Sequence, residues 1–266
     1  MTKKVLLLAF IVLPLLNFAQ QINQTDKHGY KQGIWEKKQA NGKLIYSGIF
    51  KDNYPIGDMK RFHANGNLKA ELFFTDKGQK AKAILYNKSA RLIAQGNFIQ
   101  SKKDSVWVYF DKNKNIRASE TFNKGIKNGE SVYYFKNGKP TETLNFLNGK
   151  RNGVWKRFFE NGKTYLEANY LSGNLEGHTQ SYFANGGIEY SGAYKNNKCE
   201  GKWDFYSDKG EVQFSIEYKN GIADNQDELD KIQQKKLKDL EKEKDHLTDP
   251  EKFVDDPDSY LRTYNK

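Results

Sequence analysis

A beat of 24 runs through most of this chain without an insertion or deletion. It is set by Gly33, Gly57, Ala81, Ser105, Gly129, Gly153, Gly177 and Gly201. Six are glycine and two are the next smallest residues. Position 18 of the repeat is aromatic every time, as Phe50, Phe74, Phe98, Phe122, Phe146, Tyr170, Tyr194 and Tyr218. Position 6 is aromatic in seven repeats, from Phe62 to Tyr206, with Lys38 in the first. Position 3 holds every tryptophan of the chain, Trp35, Trp107, Trp155 and Trp203. A repeat this short cannot bury its apolar face alone, so it must stack on its neighbours.

Each repeat reads as a β-hairpin. Positions 9 and 10 are Asn-Gly in five repeats (Asn41-Gly42, Asn65-Gly66, Asn137-Gly138, Asn161-Gly162, Asn185-Gly186), and this dipeptide predicts a two-residue type I′ turn. Positions 12, 14, 16 and 18 alternate with polar residues, which places one face of the return strand toward a core. Positions 20–22 supply a second turn through Gly125, Gly149, Gly173 and Gly221, or Asn53 and Asn197. The aromatics at positions 3 and 6 cannot share a face of a regular strand. Either a bulge separates them, or the tryptophan packs at the strand's start against the next repeat. Ala90 and Lys114 replace the turn glycine in repeats three and four, where wider loops are expected. The fold class that follows is all-β: an elongated single-layer antiparallel sheet of eight hairpin repeats over 33–224.

The flanks differ in kind. Lys3 and Lys4 precede an apolar run from Val5 to Leu16, and Ala19 offers a small residue before Gln20. This is the pattern of a signal peptide cleaved near Ala19, and the run is too short to span a bilayer. Residues 20–32 read as a short lead strand. Residues 227–245 lack Pro and Gly, and a narrow apolar stripe of Leu229, Ile232, Leu237, Leu240 and Leu247 runs along and just past them. They predict a charged helix within a 225–266 tail, expected to cap the last hairpin, with a partner helix as the rival role. The charge divides likewise: 9 Lys/Arg against 12 Asp/Glu in 225–266, and 33 against 21 in 20–224. A basic body permits contact with anionic surfaces. The single Cys199 leaves no internal disulfide to form and reads as a free thiol.

The unit Gly-x-Trp-x-x-Tyr/Phe-x-x-Asn-Gly-x-Leu, as in Gly153 to Lys163, resembles the MORN-repeat variant of bacterial proteins often labelled YwqK-family antitoxin components. The resemblance covers the whole of 33–224. It implies binding or scaffolding without catalysis, in exported copies of the kind found in the Bacteroidetes envelope. An antitoxin role suits a cytoplasmic neutraliser better than a chain with a signal peptide.

Chemistry-bearing patterns are sparse. His28, His63, His178 and His246 fall at different repeat positions without metal-ligand spacing. The glycines recur with the turns rather than ahead of a helix, as a phosphate loop would require. No metal, cofactor or catalytic residue is expected. Positions 5 and 7 offer the candidate binding residues: Arg61, Tyr109, Tyr133, Phe135, Arg157, Phe159 and Phe183, with Phe135, Phe159 and Phe183 in one column. These residues either pack an inner surface or line a basic aromatic groove. The expected partner is another envelope protein. The alternatives are anionic lipid or glycan, or a toxin neutralised by this chain; export argues against nucleic acid.

Overall fold

The computed structural model describes residues 21–224, with Asp230, Lys231, Gln234, Leu237 and Lys238 in helical conformation beyond them. The signal-peptide region and most of the tail lie outside the described residues. Leu237, one member of the tail's apolar stripe, is 60% exposed; the cap expected of the helix otherwise concerns positions that are not described.

Contacts divide the chain into two bodies, one formed by residues up to 139 with 146–149, the other by 140–145 with residues from 150 onward. The N-terminal body holds β1 (Gln24–Thr25), β2 (Lys31–Lys38), β3 (Leu44–Lys51), β4 (Tyr54–Phe62), β5 (Leu68–Thr75), β6 (Lys80–Tyr86), β7 (Leu92–Ile99), β8 (Lys102–Phe110), β9 (Ile116–Asn123) and β10 (Ile126–Tyr134). Each pairs antiparallel with the next. The division falls within β11 (Pro140–Leu147). The C-terminal body holds β12 (Lys150–Phe158), β13 (Thr164–Leu171), β14 (Asn174–Leu175), β15 (Gly177–Tyr182), β16 (Ile188–Lys195), β17 (Lys198–Tyr206), β18 (Val212–Lys219) and β19 (Ile222–Ala223). These again pair antiparallel in order, β13 taking both β14 and β15. Return strands start at Leu44, Leu68, Leu92, Ile116, Pro140, Thr164, Ile188 and Val212, each one full beat after the last. The all-β hairpin architecture and its beat are therefore as the sequence predicts.

The turn assignments are not. At the Asn-Gly turns only position 10 has positive φ, for example Gly42 at 79° and Gly162 at 93°, while no residue at position 9 does. Gly42 N–H donates to Gln39 O and Gln39 N–H to Lys43 O. This is a type I turn closed by a left-handed residue, with an extra residue at position 13 in the return strand. The asparagine side chain accepts the N–H two residues on, as Asn41 does from Lys43 and Asn161 from Lys163. The type I′ geometry sits instead between repeats. Asp52-Asn53, Asn148-Gly149, Asn196-Asn197 and Asn220-Gly221 have both central φ values positive.

Repeats three and four do not widen their loops. Ala90 N–H donates to Asn87 O at 2.9 Å and Lys114 N–H to Asp111 O at 3.1 Å, as glycine does elsewhere. Asn87 and Asp111 compensate by accepting two backbone N–H groups each through their side chains. Ala90 and Lys114 hold φ of 58° and 67°, a region that costs a side chain of order 1 kcal/mol. Ala90→Gly and Lys114→Gly should each stabilise the protein by about 0.5–1 kcal/mol, read as a higher urea midpoint at unchanged slope.

Positions 3 and 6 resolve plainly: they lie on opposite faces. Position 3 shares its face with positions 14, 16 and 18. Position 6 shares the other with 4 and 15, as the Tyr86–Glu71 and Tyr182–Gln180 hydrogen bonds show. Position 12 crosses to that second face, because the extra residue at 13 shifts the register so that Phe62 pairs Leu68.

The first face carries the core, and volumes are complementary across the junction between repeats. Trp107 is fully buried and lies flat over Gly96, edge-on to Phe98 at 4.8 Å. Trp203 covers Gly192, and Met59 covers Gly48. At two junctions a large position 16 is followed by a small position 3: Leu72 precedes Ala83, and Glu120 precedes Ser131. Trp107 and Trp203 donate their indole N–H to the carbonyls of Asn97 and Ala193. Trp155 follows the bulky, buried Leu144, is less buried, and donates to Glu142 at 2.7 Å instead.

A second ladder ties the inter-repeat turns together. From the third repeat on, the side chain at position 24 accepts the N–H of the following repeat's turn: Asp104 from Lys124, Asn128 from Asn148, Asn152 from Ser172, Glu176 from Asn196 and Glu200 from Asn220.

Candidate binding site

The residues flanking each repeat's first glycine build a column that hydropathy does not reveal. Two residues before that glycine, Lys31, Lys103, Lys127 or Arg151 folds over the position 18 aromatic on the same repeat's return strand. Lys31 Nζ stands 5.0 Å from the Phe50 ring, Lys103 5.1 Å from Phe122, Lys127 5.1 Å from Phe146, and Arg151 5.2 Å from Tyr170. Lys31 and Lys103 also cover Trp35 and Trp107 at 4.6 and 4.8 Å. The aliphatic stems cover apolar surface and the cations meet ring faces. Cys199 occupies the same column, beside Tyr194. Burial pushes its thiol up, and burial with the neighbouring Cys199 raises the Tyr194 hydroxyl to about 12.

Repeats four and five turn this column into a polar cluster. Ser131 stands where tryptophan stands elsewhere, and Glu120 replaces the small residue it would cover. Lys127 donates to Glu120 Oε1 at 2.6 Å, and Tyr133 donates to the same oxygen at 3.1 Å. Lys103 donates to Tyr109 Oη at 2.7 Å, and Tyr109 faces the Glu120 carboxylate. Burial favours the neutral carboxyl, but the Lys127 hydrogen bond and charge, with the two tyrosines, outweigh it and hold Glu120 below the usual range. Burial also lowers Lys127, and Glu120 more than restores it. Lys103 has no direct carboxylate partner in this cluster, and burial leaves it below the usual lysine range. Burial first, then Glu120, raises Tyr109. Ser131 Oγ is fully buried without a hydrogen-bond partner. The cluster's polar groups mainly satisfy one another, as an internal staple would.

The candidate residues scatter. Tyr109 and Tyr133 meet around Glu120. Arg157 and Phe159 meet on Tyr165, the guanidinium at 5.5 Å and the Phe159 ring edge-on at 5.1 Å. Arg61 is exposed on its strand beside His63, whose Nε2 approaches Tyr86 O. Phe135, Phe159 and Phe183 each open a hairpin turn with their N–H bonded to Lys139, Lys163 and Gly187 O, and all three are half-buried.

The second face presents the feature that the sequence reading did not single out. In the N-terminal body an open groove of about 660 Å³ crosses β4 to β8. Phe73, Ile84 and Val106 stand exposed in it, between Lys60, Glu71 and Lys82. The signal in the sequence was faint: among positions 2, 4 and 17 of repeats two to four, Phe73, Ile84, Val106 and Val108 are apolar and the other five are polar or charged.

These features define a protein of tandem β-hairpin repeats, joined by cation-covered aromatics and stacked turns. Four stretches match the MORN repeat variant, at residues 55–76, 127–148, 151–171 and 175–196, so the chain carries MORN-type repeats. All four matches begin two residues before a repeat glycine, in the column just described. No curated protein matches the chain. Solved structures show limited likeness. A crystal structure of TarM is 15% identical at a TM-score of 0.28, covering 36% of this chain and 19% of that one. A mutant of S. aureus TarM in complex with Fondaparinux, alpha-GlcNAc-glycerol and UDP is 13% identical at 0.21, covering 50% and 21%. The pneumococcal O-GlcNAc transferase GtfA in complex with UDP and GlcNAc is 15% identical at 0.16, covering 37% and 17%. The chain thus spans about a fifth of those proteins, and TM-scores this low say nothing of activity.

Proposed function

We propose that this is a non-catalytic, exported repeat protein that binds another protein in the cell envelope. The observation that carries the reading is the groove on the second face, where Phe73 and Ile84 are exposed on the paired strands β5 and β6, and Val106 is exposed on β8, across β7 from Ile84. Large apolar side chains left exposed in one groove and rimmed by charge mark a protein-binding surface. The MORN-type repeats support a binding or scaffold role, and the apolar segment at Val5–Leu16 supports export. Crosslinking in intact envelopes, followed by recovery of the full-length chain, is expected to yield one dominant partner. Phe73→Ser with Ile84→Ser should reduce its recovery at least tenfold with the circular dichroism and melting temperature unchanged. Equal recovery with the double variant would refute the groove. The excess of Lys and Arg in 20–224 favours a second reading, attachment to anionic lipid or polysaccharide. That reading requires binding that collapses between low and high salt, whereas binding through the groove should be nearly salt-insensitive.

A further inference from the structure

Among the described residues, every return strand but the last is covered on its far side by the next repeat. Position 16 then faces position 3 of that repeat and position 14 faces position 5, as Gly48 faces Met59 and Tyr190 faces Phe205. β18 ends the series. β19 pairs only with Tyr218 and Lys219, and Asp224 N–H reaches Glu217 O. Asp230 and Lys231, which would be positions 6 and 7 of a ninth repeat, are helical. Val212 to Ser215 are all exposed, and Phe214 is 40% exposed at a column that is at least half-buried in every other repeat. Phe214 is also the open end of an aromatic stack, lying parallel to Phe205 at 4.6 Å, with Tyr190 beyond. Since Glu217 O faces outward, alternation turns the backbone groups of Ser215 outward too.

We propose that β18 accepts an extended segment of a partner protein, added antiparallel over residues 212–216, with a small residue against Ile216 and an aromatic residue two places later on Phe214. This rests on the protein-binding reading and specifies a second point of attachment. The side-chain preference comes from the interior junctions: a bulky position 16 is followed by a small residue at Leu72 with Ala83 and Glu120 with Ser131, and where it is not, at Leu144 with Trp155, the larger residue is left less buried; Ile216 is bulky. A second copy joined head to tail is disfavoured, because its leading edge is already covered. Asn23 N–H bonds Ile34 O, its side chain accepts Glu36 N–H, and Trp35 donates to Gln24 O. Backbone pairing supplies affinity and alternate side chains supply selectivity in such strand addition.

The probe is a synthetic peptide of residues 130–136, ESVYYFK, which places Ser131 and Tyr133 at the two required positions. It should bind the full-length protein with a dissociation constant on the order of 10–100 μM and slow amide exchange at Ser215. Ser215→Pro removes the outward N–H and spares the backbone pairing with β17, as edge strands tolerate, at the cost of the Ser215 Oγ bond to Asp204, and should weaken binding at least tenfold. Phe214→Ser should do the same, with both variants checked for native circular dichroism. Absence of binding at millimolar peptide, or binding indifferent to Ser215→Pro, overturns the proposal. So does concentration-dependent self-association that Ser215→Pro abolishes, which would assign the edge to a second copy. Equal partner recovery from envelopes by wild type and Ser215→Pro overturns the edge while leaving the protein-binding reading standing. Peptide binding with no envelope partner recovered does the reverse.

Discussion

Gly192→Ala is expected to destabilise the C-terminal body by about 3 kcal/mol, more than an ordinary core substitution of one methyl group. A Cβ built on Gly192 would stand 2.2 Å from the Trp203 ring and 2.4 Å from its second bridgehead carbon. The φ of Gly192 is not in the left-handed region, so the cost is steric alone. The indole cannot yield sideways, because Tyr190 is stacked against it at 5.7 Å and Tyr194 and Tyr218 meet it edge-on at 5.1 and 6.0 Å. Accommodation requires Trp203 to leave its place and surrender its hydrogen bond to Ala193 O, which approaches the loss of about 3–5 kcal/mol seen on truncating a buried tryptophan. The measurement is a denaturant titration followed by tryptophan emission. In a Trp203→Leu background the same glycine change should cost under about 1 kcal/mol, and the non-additivity identifies the clash as its source.

Removal of the Glu120 carboxylate should cost about 2–3 kcal/mol, because Glu120→Ala leaves Lys127 and Lys103 as neighbouring, partly buried cations without a counter-charge. The side chains of Glu120 and Lys127 are 14% and 29% exposed, so solvent screens the pair only partly. A double change, Glu120→Leu with Lys127→Met, should recover most of the loss, since an apolar pair of similar volume avoids both desolvation penalties. The pH dependence has a definite sign. The folded carboxyl binds its proton less tightly than the ordinary 4.5 of the unfolded chain. Its contribution is therefore complete above about pH 4.5 and fades as the pH falls through the lower folded value. Glu120→Gln should flatten that acid limb and leave the alkaline side unchanged. A limb identical to the wild type would mean that other carboxylates control acid unfolding.

The parts of this fold that were legible in the sequence are those fixed by backbone geometry. A glycine column at position 1 and an aromatic column at position 18 locate both ends of every hairpin. The type of each turn was not legible, because Asn-Gly reports only that the glycine takes positive φ. Whether the asparagine does so too depends on the residue inserted at position 13, which carries no compositional mark. The lysine column was also hidden. Lys103 and Lys127 count as solvated charge in any hydropathy profile, yet their stems and ammonium groups close over Trp107, Phe122 and Phe146. Glu120 and Ser131 looked like scattered polar substitutions, since neither is unusual until they are seen to replace a tryptophan and the small residue beneath it. Positions 5 and 7 suggested one surface, but position 5 serves the core face while position 7 begins a turn, so Tyr133 and Phe135 have different work.

The stacked inter-repeat turns impose a direction on assembly. In each rung the acceptor side chain comes earlier in the chain than the turn it steadies, as Asp104 precedes Lys124 and Glu200 precedes Asn220. A chain that emerges amino-terminus first always has the waiting carboxylate or amide in place before the loop that needs it is made. Gain or loss of a whole repeat would keep every rung matched to its successor, whereas a single inserted residue would strand one acceptor and one turn at once. From the third repeat to the eighth, growth by duplication is thus written into the spacing of these bonds, and drift in length by single residues is penalised at each of them.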